Sequence, residues 1–372
     1  MGGRGDASTV SSALIFIFVL SVLVVVHEFG HFIVAKSVGI RVDKFSIGFG
    51  PVIYGKKFGE TEFCVSLLPL GGFVKLAGES PEESQGAAWE FSSKSLWERL
   101  SVVLAGPLMN AFLAFVVFSF IFLIGNPTLG TRIGKVMEEA PAMTAGVLEQ
   151  DKVLAVNGTP VNLWEDILKS IQKSKDQVIF TVERNGHRLE IPITPRKNET
   201  RDLFGQKHVV PFVGVSPSNE MVAVKNSLRK AVILGAERVW ALTAMIFYSL
   251  GLLVTGAMPL KDSVTGPIGI FFMTQAAAKL GWVHLFYFMG SLSVSLFVLN
   301  LLPVPVLDGG HLLFIVMERI KGSPIKESFK EKMTQGGLVL LLFLMGFVIL
   351  QDVHRFLIIE NIKNWLMHYT HR

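Results

Sequence analysis

A single cysteine, Cys64, occurs in 372 residues, so no internal disulfide can form and no zinc site can be built on cysteine pairs. Stability has to come from packing. Charge is scarce too: 17% of residues are Asp, Glu, Lys or Arg, while half are hydrophobic and 29 are Phe. Soluble chains of this length rarely show that balance, which points to a polytopic membrane protein in contact with a lipid bilayer. The net charge of +5 is modest, and its Lys and Arg gather in a few loops. That pattern speaks for membrane topology, and no nucleic-acid partner is expected. No small-residue cleavage site follows the first apolar run, and cleavage there would discard the polar motif that ends it, so the run reads as an uncleaved anchor.

From Ala13 to Val26 every residue is apolar except Ser21, and the run ends in His27-Glu28-Phe29-Gly30-His31. As a helix those residues rise about 21 Å, leaving the pentapeptide inside or just below a bilayer core about 30 Å thick. Two imidazoles four residues apart share one helix face and can bind one zinc ion, with Glu28 beside the metal-bound water. The alternative is that His27 and His31 are satisfied polar groups of a helical bundle. Ionisable residues at membrane depth are costly and usually functional, which favours the metal site.

Lys36, Arg41 and Lys44 follow as a basic flank on the inner side. Phe45–Leu76 combines turn glycines with short alternating apolar stretches and reads as β-hairpins. It is either an ordinary cytosolic loop or a sheet edge that dips into the membrane and pairs with an extended substrate. A second span, Leu100–Gly125, carries Ala105-Gly106-Pro107, read as a helix entrance, and Asn110, either interhelical glue or a group supporting the metal ligands. Thr128–Arg196 is polar, with short β-like runs. Asn162 and Glu165 suggest a capping box, and Trp164, Ile167, Leu168 and Ile171 form a stripe on the helix that follows. Strands are expected at Val178–Arg184 and Arg188–Ile193, around the turn Asn185-Gly186. This α+β arrangement resembles a PDZ domain, which binds peptides by strand addition.

Within Ala231–Leu260, Val239–Val254 is apolar enough to span, but a crossing there would put the later Asp308 on the opposite face from His27. The segment is therefore expected along the interface as amphipathic helices, with Arg238 and Trp240 at headgroup level. A third span, Val283–Leu302, leads into Asn300-Leu301-Leu302-Pro303-Val304-Pro305-Val306-Leu307-Asp308-Gly309-Gly310-His311. Such broken backbone at membrane depth has to be buried or line a wet cavity. Asp308 is the expected third ligand and His311 its competitor, since three protein ligands and a water complete a catalytic zinc site. The segments Lys36–Arg99 and Arg319–Lys332 hold thirteen Lys and Arg, against Arg4, Arg355, Lys363 and Arg372 at the other ends. A last span, around Gly337–Leu350, has to borrow flanks such as Met333 and Val353–Ile359. The expected fold is a polytopic α-helical membrane protein of about four transmembrane helices, with a membrane-re-entrant β-loop and an inserted α+β PDZ-like domain. Its parts are an N-terminal membrane catalytic half (1–125), a PDZ-like domain (126–196), a connector with interfacial helices (197–282) and a C-terminal membrane half (283–372).

His-Glu-x-x-His, Ala105-Gly106-Pro107 with Asn110, and the Asn300 to His311 segment together resemble the site-2 protease family of intramembrane zinc metalloproteases, in particular its bacterial RseP-like group. The resemblance covers nearly the whole chain. It implies Zn2+ held by His27, His31 and Asp308, Glu28 as catalytic acid and base, and Asn300 near the substrate. Gly48-Phe49-Gly50 matches the group's re-entrant β-loop, and Gly48, Phe49, Gly50, Asn300 and Asn110 are the expected substrate-positioning residues. It further implies regulated intramembrane proteolysis: substrates that are transmembrane segments of single-span proteins already trimmed by another protease, such as anti-sigma factors, or remnant signal peptides. The implied location is the bacterial inner membrane, with the active site toward the cytoplasm and the PDZ-like domain, with its peptide ligand, outside. Some members have two such modules; this chain has room for one. Two rivals stand beside this reading: a metal transporter, which would spread ligands along the membrane depth, and a PDZ-bearing scaffold with a dead site, which would have lost Glu28 or Asp308.

Overall fold

A computed structural model of the chain describes residues 3–79, 84–174, 176–201, 207–259, 264–323 and 325–357. Leu260, Lys363, Arg372 and the end of the flank expected for the last span lie outside them. The chain divides into two compact units, Met1–Phe120 with Val232–Arg372, and Ile121–Ala231.

The first unit opens with α1 (Gly3–Ser37), in which the long apolar run and the His-Glu-x-x-His motif form one uninterrupted helix. Strands β1 (Val42–Phe58) and β2 (Thr61–Leu76) follow. They fold back so that 42–47 lies between 72–76 and 62–65, while 52–58 pairs with 61–66. The hairpin expectation for Phe45–Leu76 is therefore met by a sheet in which 72–76 is an edge. Gly48 has a φ of +93°, and a side chain there would press on the Leu68 carbonyl, so the ribbon turns where a glycine allows it. Helix α2 (Leu96–Ile124) then covers the second span.

The second unit contains β3 (Asn126–Leu129), β4 (Ile133–Val136), α3 (Pro141–Thr144), β5 (Lys152–Val156), β6 (Thr159–Pro160), α4 (Trp164–Lys173), β7 (Val178–Arg184) and β8 (His187–Ile193). Strands β6, β5, β7 and β8 form one sheet in that order. Trp164, Ile167 and Ile171 of α4 are buried with Val153, Phe180, Val182 and Ile193, each contributing about 1.5–3 kcal/mol of apolar burial. Leu168 is exposed and stands outside that stripe. The cap is also displaced by one residue. Asp166 accepts the Leu163 backbone N–H at 3.0 Å, while Glu165 pairs with Lys169 instead.

Beyond residue 196, where the module was expected to end, come β9 (Arg196–Arg201), β10 (Lys207–Phe212), β11 (Val215–Pro217) and β12 (Met221–Val224). Strand β11 pairs with β4 and β12 with β3, so the unit closes on strands from both of its ends. Sequence periodicity could not show this, because the partners of these short strands lie 79–98 residues away, from Val215 to Val136 and from Val224 to Asn126.

The remaining helices are α5 (Leu228–Val254), α6 (Pro267–Leu280), α7 (Trp282–Asn300), α8 (Asp308–Lys321) and α9 (Glu327–Asp352). Among the described residues five helices can cross a membrane by length and composition: α1, α2, α5, α7 and α9, the last with its extension to Arg355. About four were expected. The additional one is α5, a single long helix where shorter amphipathic ones were expected. The last span gains its length mainly from Glu327–Gly336, ahead of the apolar stretch. Phe18, Phe112, Val339 and Phe343 are all exposed on these helices, as residues solvated by lipid would be.

At the end of the bundle that holds His31, Glu318 joins three helices. It pairs with Arg99 at 3.1 Å and with Lys330 at 3.0 Å. Burial alone would raise its carboxyl, but Lys330 and Arg99 outweigh that and hold it below its usual range. In the second unit Asp151, 1% exposed, takes Arg184 through both oxygens at 2.8 and 2.7 Å and accepts the Leu148 N–H. Asp151→Ala leaves that backbone donor and a half-buried guanidinium without their acceptor. It should cost about 2–3 kcal/mol, read as a lower urea midpoint for proteolysis within 121–231.

Candidate metal centre

His27 and His31 reach the same point because four residues complete roughly one turn of α1. Asp308 comes from the first turn of α8, where Pro303, Pro305 and the adjoining glycines end α7 and restart the chain. His27 Nε2 lies 3.1 Å from Asp308 Oδ2, His31 Nε2 lies 3.5 Å from Asp308 Oδ1, and the two Nε2 atoms are 3.2 Å apart. Donors placed 2.0–2.1 Å from a tetrahedral zinc ion are separated by about 3.3 Å, so this triangle has the size of one face of such a site. Among the described residues these three form the one group of His, Cys, Asp or Glu able to hold a metal. Two neutral imidazoles and a carboxylate suit zinc and leave a fourth position open. His311 lines the same cavity but stands outside the group.

The nitrogens on the far side of each ring are held as well. His31 Nδ1 is 2.8 Å from the Val102 carbonyl, so Nδ1 carries the proton and Nε2 presents its lone pair. His27 Nδ1 faces two amides, Asn110 at 3.3 Å and Asn300 at 3.5 Å. Asn110 is fully buried, its backbone carbonyl accepts the Ser293 hydroxyl at 2.7 Å, and its Oδ1 has no partner. With the amide turned over, that oxygen accepts the His27 Nδ1–H, which leaves the His27 Nε2 lone pair facing Asp308.

Glu28 lines a cavity of about 170 Å³ together with His27, His31, Asp308, Phe73 and Val74. Gly72, on the sheet edge, packs against the Glu28 side chain. Of the expected site residues, Glu28, Asn110 and Asn300 therefore join the three ligands. Gly48, Phe49 and Gly50 do not reach the cavity: Phe49 stacks on Phe73 with 6.3 Å between ring centroids, and Phe73 forms the wall.

The Ala105-Gly106-Pro107 motif reads as a helix start signal with close packing, and the sequence did not name the partner of Gly106; α2 begins at Leu96 and Pro107 lies inside it. The reason for the glycine is contact across helices, because a Cβ on Gly106 would overlap the His31 imidazole. Gly106→Ala should displace that ring and weaken zinc retention about 10–100-fold, measured as metal content after dialysis against a graded chelator.

Comparisons with known proteins give the family. Residues 15–344 match the family described as Peptidase family M50. The regulator of sigma-W protease RasP of Bacillus subtilis is 30% identical over 429 residues, covering 93% of this chain and 99% of that protein. Zinc metalloprotease RasP of Geobacillus kaustophilus is 30% identical, covering 94% and 99%. A protein of Agrobacterium fabrum that also bears a zinc metalloprotease name is 36% identical over 357 residues, covering 91% of this chain and 94% of its own length. A family match along nearly the whole chain, falling on residues that meet around one metal position, makes this protein a member of peptidase family M50, the site-2 protease family, and a zinc metalloprotease.

Proposed function

We propose that the protein cleaves transmembrane segments of other membrane proteins, with His27, His31 and Asp308 as zinc ligands and Glu28 as acid and base. The observation that carries the reading is the placement of Glu28 and the ligand triangle against the sheet edge 72–74. The zinc ion, when bound, supplies an acidified water molecule and polarises the scissile carbonyl. Glu28 accepts the proton of the attacking water and hands it to the leaving amine. Asn110 and Asn300 orient His27, and Val102 orients His31.

A helical substrate hides its carbonyls in its own hydrogen bonds and has to unwind before hydrolysis. Among the described residues Gly72-Phe73-Val74 have strand partners only on the 42–47 side, so an extended substrate can add on the other, where Glu28 meets the Val74 backbone, and recover the backbone bonds it gave up. Phe49 acts one layer out, by stacking on Phe73, and Gly48 shapes the turn that carries it. The name of the Bacillus subtilis relative favours membrane-anchored regulators, such as trimmed anti-sigma factors, among the substrates. We read the second unit as a single PDZ-like module that takes a peptide ligand.

The distribution of Lys and Arg places the metal end on the cytoplasmic side of a bacterial membrane and the second unit outside. In this reading four helices cross and α5 runs along the outer interface. Its start meets the end of the bundle away from the metal, with Gly235 against Ser119 and Arg238 5.1 Å from the Tyr287 ring. Gly266 is tied to that same end by Asp352.

Two measurements test the proposal. Glu28→Gln should abolish cleavage of a single-span substrate in detergent, by at least about 1,000-fold, while zinc stays bound. Wild-type turnover by that variant, or turnover undiminished by a chelator, would defeat the assignment. In a Cys64→Ser background, Val254→Cys should react with a membrane-impermeant maleimide from outside intact cells. Reaction only after permeabilisation would make α5 a fifth crossing.

A further inference from the structure

A second cavity, of about 360 Å³, adjoins the catalytic one. Glu79, Phe91 and His311 line both, so a chain leaving the metal centre past those three residues passes straight into it. Its remaining walls come from the start of α2, from α8 and from the first turns of α9. Four carboxylates, Glu79, Glu318, Glu327 and Glu331, line it against two cations, Arg99 and Lys330. Both cations are already engaged: Arg99 pairs with Glu318 at 3.1 Å, and Lys330 with Glu318 at 3.0 Å and Glu327 at 3.1 Å. With His311 counted neutral, the lining therefore has a formal excess of two negative charges beside an apolar floor of Phe91, Phe314 and Ile315.

An anionic rim over an apolar floor suits a long cationic side chain, whose methylene stem packs on the floor while its head meets the carboxylates. Membrane-spanning segments carry such residues where they emerge on the cytoplasmic side, through the same charge rule that orients this chain. We propose that this vestibule is a specificity subsite which binds the Lys- or Arg-bearing juxtamembrane flank of the substrate while its apolar part lies on the sheet edge. The inference rests on the proteolytic reading for its ligand. It adds a second criterion for substrate choice: beyond being able to unwind, the segment is selected for positive charge just outside the membrane. Substrates bearing an acidic flank at this end are rejected by like-charge repulsion.

Binding can be read apart from turnover by using the zinc-loaded full chain with Glu28→Gln. Fluorescently labelled single-span peptides, identical except for two Lys, two Ser or two Glu at the cytoplasmic flank, are titrated in detergent and followed by anisotropy. The Lys peptide should bind about tenfold more tightly than the Glu peptide at low salt, and the difference should collapse near 1 M salt. Glu331→Gln should narrow the preference to about threefold. The pair Glu327→Lys and Glu331→Lys should invert it, a gain for the Glu peptide that a misfolded protein cannot give. Equal binding of all three peptides, or a preference of unchanged size in Glu331→Gln, would overturn the subsite. A charge preference in binding, combined with no cleavage of the Ser peptide by protein retaining Glu28, would instead overturn the proteolytic reading and leave the subsite standing.

Discussion

The structure depends on bringing one carboxylate to two imidazoles in a low-dielectric setting. Asp308, His27 and His31 are each expensive to place at membrane depth alone, and helices α1 and α8 place them within 3.1–3.5 Å of one another. Much of the surrounding construction keeps that triangle in place. Val102 and Asn110 on α2, and Asn300 at the end of α7, reach the ring nitrogens that face away from it. The close approach of α2 at Gly106 makes room for the His31 ring. Three elements far apart in the chain therefore converge on two side chains of α1.

The sheet formed by β1 and β2 has a different task. Water is scarce at this depth, so a peptide that unwinds has no solvent to satisfy its backbone, and a strand edge beside the metal is the available substitute. In the proposed reading the strand edge at 73–74, with Glu28 beside it, would unite an extended substrate with a base within reach. The ion-paired end of the bundle, where Glu318 holds Arg99 and Lys330, closes the structure on the side where polar groups can meet water. A transporter would distribute its polar ligands along the depth. Here they are gathered at one level, and Glu28 is retained beside them.

Legibility from sequence differed by element. The strands at Val178–Arg184 and His187–Ile193, with their Asn-Gly turn, follow from alternation and turn chemistry because their partners are adjacent in the chain. Strands β11 and β12 carry no such signal, since their pairing with β4 and β3 spans the whole unit. Asp166 in place of Glu165 as the capping residue is a one-residue shift that spacing alone does not resolve. Helix α5 is long and apolar enough to cross, where shorter amphipathic helices were expected, and hydropathy weighs length and composition alone.

By itself the amino-acid sequence determined the membrane class, the His-Glu-x-x-His helix, Asp308 as the candidate third ligand and the absence of any internal disulfide, because each rests on residue type and local period. Only the tertiary structure decided that Gly106 is a seat for His31, that both asparagines converge on His27, that the sheet edge at 72–74 lines the catalytic cavity, and that Glu79 and His311 join it to a charged vestibule. These are contacts between segments tens to hundreds of residues apart. Chain periodicity records which face of an element is apolar, but not which neighbour that face will meet.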